Sequence, residues 1–169
     1  MAHGQMIGIE VQVFIMKRAD CAIFSSRHFV VEQSLNCPIP GYLVVTAAKG
    51  TDRLEDLDAA AVRALGPTLA VAVAAVRKVI RPVKIYCAQF GEETGRVHFH
   101  IFPRTQEITD AYLRERPQER TLIHGPVLLD WVRAEYVGAP AAPETHDLIA
   151  EIRATAKGLL KELLPPAGC

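Results

Sequence analysis

Polar and apolar residues alternate from Gly95 to Arg104: Arg96, His98 and His100 fall on one side, and Val97, Phe99 and Ile101 on the other. This is the period of a β-strand, in which every second side chain shares a face. Arg27 to Gln33, Gly41 to Ala47 and Val83 to Gln89 are further runs rich in β-branched and aromatic residues, and Glu10 to Phe14 alternates weakly. Asn36-Cys-Pro-Ile-Pro-Gly41 predicts a rigid turn between the first two of these runs. The loop Phe90 to Gly95 joins Val83–Gln89 to the histidine strand and predicts an antiparallel hairpin.

A different period governs Asp52 to Ile80. Val62, Leu65, Leu69, Val73, Val76 and Ile80 recur at intervals of three and four, which predicts one helix with an apolar stripe. Gly66-Pro67 predicts a kink there or two helices in succession. Ile108 to Arg116 and Val127 to Tyr136 read as short helices, and Gly138 to Pro143 as a linker. His146 to Leu164 reads as a longer helix whose stripe is Ile149, Ile152, Ala156, Leu159, Leu160 and Leu163. Strands, a long helix, more strands and then helices imply an α+β domain with a mostly antiparallel sheet. We read the chain as one domain over residues 1–169, with a core at about 10–104 and a C-terminal helical extension at about 105–169.

Composition narrows the partners. The 19 acidic residues balance the 19 basic ones, so no bulk charge points to nucleic acid, which is not expected as a partner. The longest apolar stretches are short and broken by charge, so no membrane partner is expected either. The N-terminus shows no basic segment followed by an apolar one, and Cys21, Cys37, Cys87 and Cys169 form no Cys-x-x-Cys pair. A reducing, cytoplasmic location is expected.

The histidine strand carries the candidate chemistry. Its polar face would present a guanidinium and two imidazoles, spaced roughly 7 Å apart at each step of two residues. Three readings fit this pattern: a solvated face, a metal site, or a site for a phosphate and a nucleophile. In the third, a neutral imidazole nitrogen of His98 attacks an α-phosphate, and the other ring nitrogen is held protonated by a backbone carbonyl. Arg96 and His100 would contact phosphate oxygens. Gly91, Thr94 and Gly95 could bring backbone amides and a hydroxyl to the same anion, although a hairpin needs glycines in any case. No P-loop, Gly-x-Ser-x-Gly elbow or His-Glu-x-x-His motif is present.

Arg-Val-His-Phe-His-Ile-Phe-Pro-Arg resembles the signature of the histidine-triad (HIT) family, His-x-His-x-His-x-x with apolar x, continued by Pro-Arg. Pro40-Gly41-Tyr42-Leu-Val-Val resembles the Pro-Gly-His-Leu-Val strand of that family, and the helix at 52–80 falls where the family has its long helix. The likeness spans about residues 20 to 104. Arg96 stands in place of the first triad histidine. Some relatives hold zinc through Cys-x-x-Cys and the histidine of Pro-Gly-His. Phe24 and Tyr42 occupy those positions here, so no metal and no cofactor is expected.

The resemblance implies a HIT-like fold with a five-stranded, mostly antiparallel sheet, one long helix and extra C-terminal helices, assembled as a homodimer. It implies a nucleotide substrate, and hydrolysis or nucleotidyl transfer at an α-phosphate through a covalent nucleotidyl-histidine. His98 matches the nucleophile. Arg96, His100 and Thr94 are implied phosphate contacts, and Ser34, Asn36 and Gln89 are implied nucleotide contacts. The alternative it allows is a HIT-fold nucleotide-binding protein with weakened catalysis.

Overall fold

The computed structural model describes residues 18–91 and 95–163. The expected strand at Glu10–Phe14 lies outside the described residues. A short helix α1 (Arg18–Cys21) leads into β1 (Ala22–Ser25), β2 (Phe29–Gln33) and β3 (Leu43–Ala47). The long helix α2 (Ala59–Ile80) is followed by β4 (Lys84–Ala88) and β5 (His98–Arg104). The chain then forms α3 (Gln106–Glu115), α4 (Gly125–Tyr136) and α5 (Thr145–Leu163). The five strands make one sheet in the order β1-β2-β3-β5-β4, with every neighbouring pair antiparallel. This is the α+β architecture expected from the sequence. Strand β1 was not among the predicted strands. Its four residues are too few for alternation to show, and a register shift between Ala22 and Phe24 interrupts its pairing with β2.

Side chains alternate across the sheet and build two apolar layers. Phe29, Val31, Leu43, Val45 and Ile101 pack on one face against α2 and α5. Phe102 and Tyr42 lie on the other, under Ile108 and Tyr112 of α3 and Leu128, Trp131 and Val132 of α4. The C-terminal third therefore covers both faces. Ile149, Ile152 and Ala156 of α5 join the same core as Val71, Ala72 and Val76 of α2. Arg153 ties α5 to the edge of the sheet, donating to the carbonyls of Ala22 (2.7 Å) and Asp20 (3.0 Å).

Helix α2 departs from its predicted form in three ways. It starts at Ala59, after a 3-10 turn at Leu54–Asp56, because the Asp58 carboxylate caps it by accepting from the Ala61 N–H at 2.8 Å. It also runs as one helix through Pro67, which is exposed, and not as two in succession. Proline removes the hydrogen bond to the carbonyl four residues earlier, and that residue, Arg63, is exposed too, so water can satisfy the lost bond. Finally, the most buried positions are Ala61, Thr68, Val71, Ala72, Ala75 and Val76; of the predicted stripe, Leu65, Leu69, Val73 and Ile80 pack half-buried against this core, whereas Val62 is 54% exposed. The small alanines let the helix lie close to the sheet, and the larger aliphatic residues flank the contact. In length and composition alone α2 would also serve as a membrane-crossing helix. Here its alanine face packs on the sheet and on α5.

This packing separates two substitutions. Ile152→Ala is expected to cost about 2–5 kcal/mol of unfolding free energy in urea titration, because it opens a cavity between α5 and α2. Val62→Ala, which the sequence pattern would have ranked as a core change, is expected to stay within about 0.5 kcal/mol.

Candidate active site

Pairing between β3 and β5 sets the geometry of the site. Thr46 lies opposite His98 and Val44 opposite His100, and on the next strand Val30 pairs with Thr46 and Glu32 with Val44. Glu32, Val44, Thr46, His98 and His100 thus form the floor of a cleft of about 480 Å³. The cleft exists because α3 and α4 cover only the Phe102 half of this face. One wall is the turn after β2, with Ser34, Asn36 and Cys37, and another is the end of α4, with Arg133 and Val137. The Gly138 N–H donates to the Asn36 carbonyl at 2.9 Å and ties these two walls together.

His98 is 4% exposed and sits on the cleft floor. Its Nδ1 lies 2.9 Å from the Arg96 carbonyl oxygen. A carbonyl can only accept, so Nδ1 carries the hydrogen and Nε2 holds the lone pair when the ring is neutral. The ring of His100 stands nearly perpendicular to that of His98, with centroids 5.0 Å apart. On its other side, His100 Nδ1 lies 3.0 Å from the Tyr42 hydroxyl.

The predicted site residues separate in space. His98, His100, Ser34 and Asn36 all line the cleft. The Ser34 hydroxyl accepts from the Cys37 N–H at 3.3 Å and shapes the turn. Strand β5 begins at His98, so Arg96 sits in the bend before it, with its side chain exposed and outside the cleft lining. What Arg96 brings to His98 is its backbone carbonyl. Gln89 is exposed, beyond the end of β4, and does not line the cleft. Thr94 lies outside the described residues.

Glu32, Cys37, Tyr42 and Arg133 line the cleft without having been assigned to it by sequence reasoning. The alternation of β2 could have indicated Glu32, since it shares a face with Val30. Arg133 could not have been found, because only the tertiary fold brings α4 beside residue 36. Cys37 is not a nucleophile at neutral pH: burial pushes its thiol up to about 11, against the lowering effect of a hydrogen bond to the Ile39 backbone. Among the described residues, no group of three or more His, Cys, Asp and Glu side chains could hold a metal ion.

The turn that frames the cleft is braced by Gln33, which is 1% exposed. Its amide nitrogen donates to the Ile39 carbonyl at 2.7 Å, and its amide oxygen accepts from the Gly41 N–H at 2.9 Å. Gly41 has φ +78° and packs against Ile80, where a Cβ would come within 2.7 Å of the isoleucine Cγ1. The turn is therefore fixed from two sides, and Tyr42 leaves it in one orientation.

Comparison with known proteins agrees with this fold. The HIT domain matches residues 17–107. A Hit-like protein from Bartonella henselae superposes with a TM-score of 0.53 at 18% identity, over 80% of this chain and 86% of that one. A hypothetical histidine triad nucleotide-binding protein from Sulfolobus tokodaii gives a TM-score of 0.58 at 11% identity, over 88% of this chain and 90% of that one. A zinc-bound histidine triad family protein from Mycobacterium smegmatis gives 0.54 at 14% identity, over 83% and 86% respectively. At such identities these likenesses bear on the fold alone. No curated protein matches the chain.

Gln33→Leu keeps the volume and strands two buried backbone groups. It is expected to lower stability by about 2–3 kcal/mol in chemical denaturation. A loss below about 0.5 kcal/mol would show that the turn holds without the brace.

Proposed function

The chain belongs to the HIT family, and from that premise we propose that it is a nucleotide hydrolase or nucleotidyl transferase that attacks an α-phosphate with His98. The observation that carries this reading is the hydrogen bond from His98 Nδ1 to the Arg96 carbonyl, on a ring that floors a cleft. That bond leaves the lone pair on Nε2. The Nε2 lone pair forms a bond to the α-phosphorus, and the bond to the leaving group breaks, with its electron pair departing on that group. The imidazolium so formed keeps its Nδ1–H on the Arg96 carbonyl, which lowers the cost of the new positive charge. Water then displaces His98 from phosphorus and releases a nucleoside monophosphate. In a transferase an acceptor hydroxyl takes the place of water.

In this reading the phosphate lies beside His98 and His100, and the nucleoside extends along the floor toward Glu32, Ser34 and Asn36. Adjacent strands lie about 4.8 Å apart, so the step from β5 across β3 to β2 spans about 10 Å, which suits a nucleoside. Suitable substrates are dinucleoside polyphosphates and nucleoside phosphoramidates. A homodimer is part of the same proposal, supported by the outer edge of β4, where Lys84 and Cys87 are exposed and no strand among the described residues pairs.

A second reading, nucleotide binding with weakened catalysis, is favoured by Arg96. Its side chain is exposed and outside the cleft lining, so it does not line the floor beside the nucleophile.

Incubation with a nucleoside phosphoramidate or a dinucleoside polyphosphate is expected to release the nucleoside monophosphate, and a quench without acid to trap nucleotide on His98. His98→Ala is expected to lower kcat by about a thousandfold or more. Turnover that survives this substitution would remove His98 from the mechanism. Nucleotide binding in calorimetry, with neither product nor adduct, would favour the second reading.

A further inference from the structure

We propose that Tyr42 is a positioning residue that holds His100 in its Nε2–H tautomer, so that the cleft pairs an unprotonated imidazole nitrogen on His98 with an imidazole N–H on His100. The two histidines are two residues apart on one strand, yet their Nδ1 atoms meet opposite kinds of partner. His98 Nδ1 faces a carbonyl oxygen at 2.9 Å, which can only accept. His100 Nδ1 faces a phenol oxygen at 3.0 Å. A phenol donates well and accepts poorly, because its oxygen lone pair is drawn into the ring. The unprotonated nitrogen of a neutral imidazole is the stronger acceptor of the two groups. The bond therefore runs from the Tyr42 O–H to His100 Nδ1, and the hydrogen of His100 resides on Nε2.

The phenol is held in place to do this. Tyr42 is 2% exposed, and its ring meets Phe102 edge-on at 5.3 Å with an interplanar angle of 81°. Its backbone N–H donates to the Ile39 carbonyl at 3.0 Å, and its carbonyl accepts from the Ser34 N–H at 2.7 Å. The Gln33-braced turn thus delivers the hydroxyl to the histidine from a fixed point.

The catalytic consequence rests on the function proposed above, whereas the tautomer does not. When His98 attacks, negative charge grows on the non-bridging phosphoryl oxygens. His100 Nε2–H donates to one of them and keeps its proton throughout.

Nitrogen-15 long-range NMR of the histidine rings tests the assignment on the wild-type protein without substrate. The expected spectrum shows His98 protonated on Nδ1 and His100 protonated on Nε2. His100 protonated on Nδ1 would overturn the proposal, and this reading needs no variant. In Tyr42→Phe the His100 preference is expected to disappear, with His98 unchanged; a His100 tautomer that persists would show that Tyr42 does not set it. With a nucleoside phosphoramidate as substrate, Tyr42→Phe is expected to lower kcat about tenfold and leave KM within about twofold, because the orientation of the donor is lost while ground-state binding is kept. An unchanged kcat alongside a lost tautomer would overturn the catalytic role. A wild-type protein with the expected tautomers and no turnover would instead count against the proposed function and leave the positioning by Tyr42 standing.

Discussion

Antiparallel pairing of β3 with β5 is the constraint on which the rest of the molecule depends. It places Leu43 opposite Ile101 and Val45 opposite Phe99 on one face, and Val44 opposite His100 and Thr46 opposite His98 on the other. A slip of one residue would exchange the two faces. The histidines would then lie under α2 and α5, where burial of unpartnered imidazole is costly, and Ile101 would face the cleft. The apolar half of β5 thus fixes the polar half. Ile101 is fully buried, and that burial holds His98 and His100 on the floor.

The cleft arises from incomplete cover. Helices α3 and α4 shield only the aromatic end of the polar face, where Phe102 stacks on Tyr86 and meets Tyr42 edge-on. They are pinned by their own contacts: Trp131 donates to Glu115 at 2.9 Å, Tyr112 donates to Glu119, and the Arg116 guanidinium lies over the Tyr112 ring. The end of α4 is tied to Asn36, so the position of Arg133 follows from the same turn that delivers Tyr42. One braced segment, residues 33–42, therefore sets both a wall of the cleft and the partner of His100.

The sequence made most of this legible wherever a period was long enough to read. Strand β5 was visible from its alternation, and α2 from its length, because many residues vote for one pattern. Of the α2 stripe only Val62 misses the core; Leu65, Leu69, Val73, Val76 and Ile80 pack on it, and the alanines that a hydrophobicity pattern underweights fill the closest contact. Strand β1 was too short to show a period. Single-residue geometry was also hidden. Alternation puts Arg96 in line with His98 and His100, but the strand begins at His98, and the part of Arg96 that meets His98 is its carbonyl. The phenol of Tyr42 was read as a missing zinc ligand, and its bond to His100 depends on a pairing across 58 positions.

A chain with balanced charge holds no large field with which to collect phosphates, so any affinity for them must be local. On the cleft floor both imidazoles are oriented by uncharged partners. A carbonyl sets the hydrogen of one imidazole, and a phenol sets that of its neighbour. Such groups cost little to bury, because each Nδ1 has its partner inside the fold. In the proposed reaction they would need no rearrangement as charge grows on the phosphate. Two adjacent imidazolium ions would repel one another at 5.0 Å between ring centroids and would demand solvent. With opposite tautomers set by opposite partners, two histidines can sit ring to ring, 4% exposed in the case of His98, and still offer a lone pair and a hydrogen to the same anion.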